Sequence, residues 1–522
     1  MSKKKSFSAA LTAASTSEKA LTENGAVVYK RSKSPLVDFY FTGTSFRNQS
    51  EDEVRNAFAK VHAENPLLAV KLLFMMGDIR QGMGERRTFR TCMQWLADNF
   101  SDEARKVLHL IPEYSRWDIL VDMLGTSVDD EAFALLQNQF KTDQDNCANG
   151  KPVSLLAKWL PSVNTSSDKS RMKARSLCTR LKMKESVYRK SLSKLRSYLN
   201  VVETKMSAKD WSGIEYSAVP SKANLLYKDA FLRHDETRRN AYLQSVERGE
   251  EKINAGAVFP CDICYKYNDA NRKDTAIEEM WKALPDFTNG RGENVLCIVD
   301  GSGSMSSPVD RSKGRSTMSS RNVAQSLAVY FSEKMPGQFH NQYITFSETP
   351  QYVDLSGCKS LFEKLKKMNA YDEVANTNIK AVFKLILKTA IDNGIPQEEM
   401  PQSLLILSDM QFDSCVDFDE EHPYWRGRPS KAELDEECAT LFELIGKEYQ
   451  DAGYELPRLV FWNINSDNGI VPMQENKNGV ALLSGFSASN ADMVFSNKTN
   501  PYDILVDKLN SKRYEPIEKA LA

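Results

Sequence analysis

The sequence predicts a two-part protein, in which an N-terminal helical region precedes a C-terminal α/β domain. Between about residues 50 and 250, apolar residues recur at three- and four-residue spacings, which is typical of amphipathic helices. From about residue 292, short apolar runs alternate with amphipathic stretches, as in strands separated by helices. The chain has 522 residues, of which 41% are hydrophobic. Both regions can therefore bury a core.

The helical region is predicted to be a stack of helix pairs. Residues 67–75 are so densely apolar that we expect a helix buried on nearly all sides. Further on, Tyr188, Leu192, Leu195 and Leu199 form a single apolar seam. Several helices of this kind, joined by short polar turns, predict an α-solenoid with HEAT-like repeats, although the sequence has no strict internal period.

The α/β domain is predicted from short apolar runs that alternate with helices. The predicted strands are VLCIVD (295–300), YITFS (343–347), LLILSD (404–409) and RLVFWNI (458–464), and the predicted helices cover 320–335, 378–392 and 431–450. Runs of this kind indicate a doubly wound, mostly parallel sheet with both faces covered. We expect a flexible N-terminus over residues 1–17, a helical module over 18–290 and the α/β domain over 291–522.

Composition excludes several classes of protein. Lysine and arginine total 69 against 70 aspartates and glutamates, so a uniformly basic nucleic-acid coat is excluded. No apolar run approaches the ~20 residues of a membrane-spanning helix, and we recognise neither a secretory signal nor a common catalytic motif. Nine scattered cysteines favour reduced thiols. We therefore expect a non-enzymatic, cytoplasmic, monomeric protein that does not enter membranes.

Oxygen-bearing side chains follow two of the predicted strands and one loop. Asp300 ends the strand VLCIVD, and Ser302 and Ser304 follow it in a glycine-containing loop. Thr377 precedes a predicted helix, and Asp409 ends the strand LLILSD. A hard cation such as Mg²⁺ prefers oxygen ligands of this kind. Serine and glycine after a strand also form helix caps and turns, but three elements in this order favour a metal site.

The pattern Asp300-x-Ser302-x-Ser304 resembles the metal-ion-dependent adhesion site of von Willebrand factor A domains. The resemblance implies that Ser302, Ser304 and Thr377 are direct ligands of Mg²⁺ (or Mn²⁺ or Ca²⁺), and that Asp300 and Asp409 act directly or through water. Two departures from the family pattern are a longer insertion over residues 306–317 and Met410, where many relatives have glycine. We expect both to affect access to the site.

The second predicted site is a basic helical surface. Residues 151–200 contain 13 lysines and arginines and two acids, whereas residues 401–450 contain four and 12. The residues predicted to contact phosphates are Arg171, Lys173, Arg175, Arg180, Arg189, Lys190, Lys194 and Arg196. Lys158 and Trp159 are predicted to line the same surface, and Trp159 and Tyr198 are candidates for stacking on bases. The alternatives are a solvated face or a face that docks against the acidic 401–450 block.

The whole chain resembles the Ro (TROVE-module) architecture, and in particular an uncharacterised Ro-like family of phages, giant viruses, bacteria and plants. The resemblance is carried by ALTENGAVVYKRSKSPLVDFYF (20–41), GDIRQGMGERRTFR (77–90), PEYSRWDIL (112–120), LLAKWLPSVNTSS (155–167), YRKSLSKLRSYLNVVE (188–203), IVDGSGSM (298–305), LSDMQFD (407–413), LVFWNIN (459–465) and LLSGFS (482–487). It implies a ring-like solenoid closed by the A domain, with structured small RNAs on a basic outer surface and single-stranded ends in a central hole.

The leading hypothesis is therefore a non-catalytic, Ro-like RNA-binding protein with a divalent-metal site. The alternative is a metal-dependent scaffold, in which the carboxylate of a protein ligand completes the coordination of the metal. In a third hypothesis the metal domain only closes and stiffens the ring.

Overall fold

The structure, a computed structural model, divides into two compact units. It describes residues 19–267, 272–311, 318–346, 349–371, 378–413, 440–466 and 469–522, so the predicted flexible N-terminus over 1–17 lies outside the described residues. Of these described residues, the α/β unit contains those up to residue 50 and those within 259–273 and 286–508, and the helical unit contains those within 51–258, 274–285 and 509–522. A helical part and an α/β part are thus confirmed. The prediction of a single boundary near residue 290 is too simple, however, because each unit is built from several separate segments of the chain.

The helices are numbered along the chain. They are α1 (Pro35–Phe41), α2 (Glu51–Glu64), α3 (Pro66–Gly77), α4 (Arg86–Asn99), α5 (Ser101–Val107), α6 (Ile111–Tyr114), α7 (Trp117–Asp122), α8 (Asp129–Ala148), α9 (Leu156–Trp159), α10 (Asp168–Arg180), α11 (Glu185–Tyr198), α12 (Val202–Ser207), α13 (Ser221–Glu247), α14 (Pro260–Cys264), α15 (Thr275–Lys282), α16 (Ser320–Lys334), α17 (Leu361–Ala370), α18 (Ile379–Asn393), α19 (Leu441–Asp451), α20 (Ala491–Val494), α21 (Pro501–Leu509) and α22 (Glu515–Leu521). In the described part of the chain, none of them combines the length and the apolarity needed to cross a bilayer.

Helix α3 is the apolar helix that the sequence predicts. Asn65 caps its N-terminus by accepting a hydrogen bond from the backbone N–H of Leu68 at 3.0 Å, and Pro66 occupies the first turn, where its missing N–H costs nothing. Every residue from Leu68 to Gly77 is buried. Because no face of α3 meets water, it forms the centre of the helical unit.

The C-terminal residues belong to the helical unit because they neutralise charges buried beside α3. Lys71 is only 1% exposed, and its Nζ donates to Glu518 at 2.6 Å and to Asn510 at 2.8 Å. Asp78 is fully buried and accepts from Arg513 at 2.7 and 3.1 Å. The predicted α/β domain over 291–522 therefore differs from the observed α/β unit over its last 14 residues, 509–522.

The α/β unit is built on a six-stranded sheet. A separate hairpin pairs β1 (Lys19–Leu21) with β2 (Val27–Tyr29), and the sheet contains β3 (Val295–Asp300), β4 (Gln342–Phe346), β5 (Gln351–Asp354), β6 (Ser403–Ser408), β7 (Arg458–Asn463) and β8 (Val480–Ser484) in the order β5-β4-β3-β6-β7-β8. All neighbours are parallel except β4 and β5. Strands β3 and β6 are buried at every position, as expected when both faces of a sheet are covered.

The predicted strands and helices of this unit are confirmed to within a residue or two, with one exception. The helix predicted over 431–450 is observed as α19, and residues 431–439 lie outside the described residues. Strands β5 and β8 and the N-terminal hairpin were not predicted. Parallel order brings the carboxyl ends of β3, β6, β7 and β8 to one edge of the sheet, which positions the candidate metal centre.

Candidate metal centre and basic helical surface

Asp300 and Asp409 lie at the carboxyl ends of two neighbouring strands. Strands β3 and β6 pair in parallel register, with Val299 opposite Leu407. Asp300 is the last residue of β3, and Asp409 comes directly after β6. Asp300 is fully buried and Asp409 is 7% exposed. The fold therefore places two buried carboxylates side by side at this edge.

The serine loop after β3 folds back onto the same edge. One oxygen of Asp300, Oδ1, accepts from the backbone N–H of Ser302 at 2.9 Å, which closes the turn. The hydroxyls of Ser302 and Ser304 lie 2.9 Å apart, and the Ser304 side chain is close enough to Asp409 to lower the pKa of that carboxyl. Four of the five predicted metal ligands thus converge. The fifth, Thr377, lies outside the described residues.

Burial makes the ionised form of these two carboxylates unfavourable. Burial, and then the negative charge of Asp409, raises the pKa of Asp300 from 3.8 to about 7. Burial also raises the pKa of Asp409 to about 6, with the Ser304 side chain acting in the opposite direction. A cation between the two carboxylates would oppose both shifts, because an opposite charge favours the ionised form.

Sequence reasoning did not identify Ser408, which holds the second oxygen of Asp300. The Ser408 hydroxyl donates to Asp300 Oδ2 at 2.5 Å and accepts from the backbone N–H of Met410 at 2.9 Å. The signal in the sequence was a serine directly before Asp409. Arg321, on α16, donates to the carbonyls of Gly301 and Ser302 at 3.4 and 3.3 Å and so fixes the start of the serine loop.

The donor set fits a hard divalent cation. Two carboxylates and two hydroxyls are oxygen ligands of the kind that Mg²⁺ and Mn²⁺ take, with water in the remaining positions. Over the residues that the structure describes, no group of three or more histidine, cysteine, aspartate or glutamate side chains is arranged to hold a metal.

The two departures from the family pattern are only partly described. Residues 312–317 of the insertion lie outside the described residues, and its base is closed by a hydrogen bond from the N–H of Val309 to the carbonyl of Met318 at 3.0 Å. Met410 is fully buried and has a positive φ of 66°, a conformation that costs a non-glycine residue about 1 kcal/mol or more. Its effect on access stays a prediction.

Five of the predicted phosphate contacts are engaged within the helical unit. Arg196 is partly buried and donates to the carbonyls of Ala157 and Leu160 and to the Ser162 hydroxyl, each at 2.8 Å. The other four pair with acids: Arg171 with Asp168, Lys173 with Asp122, Arg175 with Glu185 and Arg180 with Asp129. Each of these four is therefore engaged in an ion pair within the protein, although Asp122 is shared between Lys173 and Arg90.

Arg189, Lys190 and Lys194 on α11 keep their charge exposed. Among the described residues, none of the three has a hydrogen-bonded or ion-paired partner. Arg189 also lines a groove of about 600 Å³ together with Lys158, Trp159 and Arg196. One face of the Trp159 ring is covered by the Arg116 guanidinium, at 3.6 Å from the ring centre. The predicted basic surface is thus reduced to the exposed side of α11 and this groove.

Comparison with known proteins is consistent with a two-part chain but assigns no activity to it. Residues 22–107 and 130–289 match one domain of unknown function, DUF2828, and residues 294–513 match another, DUF7788. An uncharacterised protein of Acanthamoeba polyphaga mimivirus is 29% identical over an alignment of 539 positions, which covers 95% of this chain and 88% of the viral protein. The chain is thus similar along nearly its whole length to a giant-virus protein, and its two parts are similar to two domain families of unknown function.

Proposed function

We propose that this chain is a non-catalytic binding protein whose α/β unit binds a divalent cation in the manner of a von Willebrand factor A domain. The observation that carries the proposal is the convergence of Asp300, Ser302, Ser304 and Asp409 at the carboxyl edge of a mostly parallel sheet. Two serines and two aspartates leave coordination positions for water or for an incoming oxygen ligand. The carboxylate of a protein partner is such a ligand.

The cation site is tested by titrating the metal-free protein with Mn²⁺ and following free Mn²⁺ by electron paramagnetic resonance. The variant removes both loop hydroxyls, Ser302→Ala with Ser304→Ala, and leaves every charge in place. We expect the wild type to bind one equivalent of Mn²⁺ and the double variant to bind at least tenfold more weakly. The matched control is Ser487→Ala with Ser489→Ala, which removes a second hydrogen-bonded serine pair at 2.8 Å. Equal Mn²⁺ affinity in the wild type and the Ser302/Ser304 variant contradicts the site.

RNA binding by the helical unit is the second candidate function, as in the Ro-like hypothesis. It is favoured by the three exposed, unpaired cations on α11 and by the groove that Arg189 shares with Lys158 and Trp159. Lysine and arginine on such a surface release counterions from phosphates. The Trp159 indole lines the same groove as Lys158 and Arg189. An aromatic ring beside positive charge suits the stacking of an unpaired base.

The RNA proposal is tested by the charge reversal Arg189→Glu with Lys190→Glu. We expect weaker binding of a labelled single-stranded RNA, and a salt dependence whose slope is reduced by about 1.4, since each lost phosphate contact removes about 0.7. The matched control is Lys141→Glu with Arg233→Glu, two exposed cations elsewhere in the helical unit. RNA affinity that falls equally in both double variants indicates non-specific attraction, and RNA affinity unchanged in the α11 variant contradicts the proposal.

A further inference from the structure

The turn of the N-terminal hairpin lies against the segment that follows Asp409. Within the turn, the N–H of Thr22 donates to the carbonyl of Ala26, and the N–H of Ala26 donates to Thr22 Oγ1, both at 2.9 Å. Thr22 Oγ1 in turn donates to the carbonyl of Phe412 at 2.5 Å, and Asn24 Nδ2 donates to the carbonyl of Gln411 at 2.7 Å. The hairpin is therefore fixed at the edge of the sheet that carries the candidate metal centre.

Glu23 is at the tip of this turn, and a single residue, Gln411, links its backbone to Asp409. The N–H of Glu23 donates to Gln411 Oε1 at 3.0 Å, and the N–H of Gln411 lies 3.3 Å from Asp409 Oδ1. Gln411 is only 5% exposed, so this link is held within the fold. The far end of the hairpin is held as well, because Tyr29 exchanges two backbone hydrogen bonds with Val471, at 2.9 and 2.8 Å.

The Glu23 carboxylate is the acidic group of the hairpin, and it lies at the turn that contacts the segment after Asp409. Its side chain is exposed and, among the described residues, has no hydrogen-bonded or ion-paired partner. Its negative charge contributes to the raised pKa of Asp409. The carboxylate therefore lies within electrostatic reach of Asp409, and nothing in the described part of the chain neutralises it.

Building on the cation site proposed above, we infer that Glu23 is a negatively charged residue at the rim of that site, which strengthens cation binding and weakens the binding of an external acidic ligand. Both effects follow from Coulomb's law, because a negative charge at the rim attracts a divalent cation and repels an incoming carboxylate. The hairpin would then set how strongly the site prefers a bare cation over a cation with an acidic partner.

The test measures two affinities in Glu23→Gln, a change that removes the charge and keeps the side-chain size. The first is the dissociation constant for Mn²⁺, and the second is that for a hexa-aspartate peptide at saturating Mn²⁺. We expect Mn²⁺ to bind about two- to fivefold more weakly, the range of an interaction between partly solvated charges, and the peptide to bind more tightly by a similar factor. The matched control is Glu398→Gln, which changes an exposed glutamate shortly before β6. This control variant should bind Mn²⁺ and the peptide with the same affinities as the wild type.

A second variant, Asn24→Ala, keeps the Glu23 charge but removes a hydrogen bond that positions the turn. It should shift both affinities in the direction of Glu23→Gln. If Glu23→Gln matches the wild type in both affinities while Asp300→Asn no longer binds Mn²⁺, the role of Glu23 is refuted and the cation site stands. If the wild type binds no Mn²⁺, the cation site and this inference are both refuted.

Discussion

Replacing Asp300 by asparagine tests whether the buried acid pair is strained without a cation. In the wild type, burial and the neighbouring Asp409 raise the pKa of Asp300 to about 7 from its ordinary value of 3.8. The native protein therefore holds this proton more tightly than the unfolded chain does. The contribution of Asp300 to the free energy of unfolding is therefore greatest below about pH 4 and is lost as the pH rises toward about 7.

The size of this loss of stability follows from the size of the pKa shift of Asp300. A difference of about three pKa units, at about 1.4 kcal/mol per unit, gives a loss of at most about 4 kcal/mol between these pH values. For an α/β unit of nearly 290 residues, this corresponds to a fall in melting temperature of about 7 °C. Asparagine cannot ionise and keeps hydrogen-bonding groups for the N–H of Ser302 and the hydroxyl of Ser408. The variant should therefore lack this part of the pH dependence.

The assay is differential scanning calorimetry of wild type and Asp300→Asn between pH 4 and 8, with EDTA and with added Mn²⁺. In EDTA the melting temperature of the wild type should fall relative to the variant as the pH rises. Added Mn²⁺ at about 100 times its dissociation constant should stabilise only the wild type, by about 2.7 kcal/mol. Asp451→Asn, an exposed aspartate at the end of α19, is the control. Parallel pH profiles for wild type and Asp300→Asn, or equal stabilisation of both by Mn²⁺, would refute the reasoning.

Three further substitutions test the packing within the two units. Arg196→Ala should lower the stability of the helical unit by roughly 2–4 kcal/mol in urea unfolding, because it leaves two buried carbonyls without their charged donor; a stability equal to that of Lys194→Ala would contradict this. Asp78→Ala should cost about 3–5 kcal/mol, since the paired Arg513 loses its buried carboxylate, and limited proteolysis should then cut the C-terminal residues faster; an unchanged cleavage rate would argue against that pairing. Met410→Gly should destabilise the α/β unit by about 1–2 kcal/mol, because the lost burial of the side chain outweighs the relief of its positive φ; a rise in melting temperature would reverse that balance.

The strand-end positions of the candidate site could be predicted because they depend on local pattern. The runs VLCIVD and LLILSD are short, apolar and bounded by polar residues, so their ends, and hence Asp300 and Asp409, could be assigned within a residue. Strand β8 has the same kind of run, VALLS after Gly479, and could have been identified on the same grounds. Strand β5 could not, because it is a half-exposed edge strand with one buried residue among four.

The basic surface shows what composition alone cannot resolve. The sequence gives the excess of lysine and arginine over residues 151–200, but an ion pair depends on which acid lies opposite each cation in space. Arg180 meets Asp129, about 50 positions away, and Arg196 is used to satisfy carbonyls. Only Arg189, Lys190 and Lys194 remain exposed and unpaired among the predicted contacts that the structure describes.

The sequence by itself determined the two kinds of architecture, the central strands and the residues at their carboxyl ends, because hydrophobic periodicity is a property of neighbouring residues. The tertiary structure alone decided which distant groups meet. It placed Lys71 beside Glu518, Ser408 on Asp300 and the turn containing Glu23 against Gln411. The physical reason is that a buried charge or donor must find a partner somewhere in the fold, and no local pattern states where along the chain that partner lies.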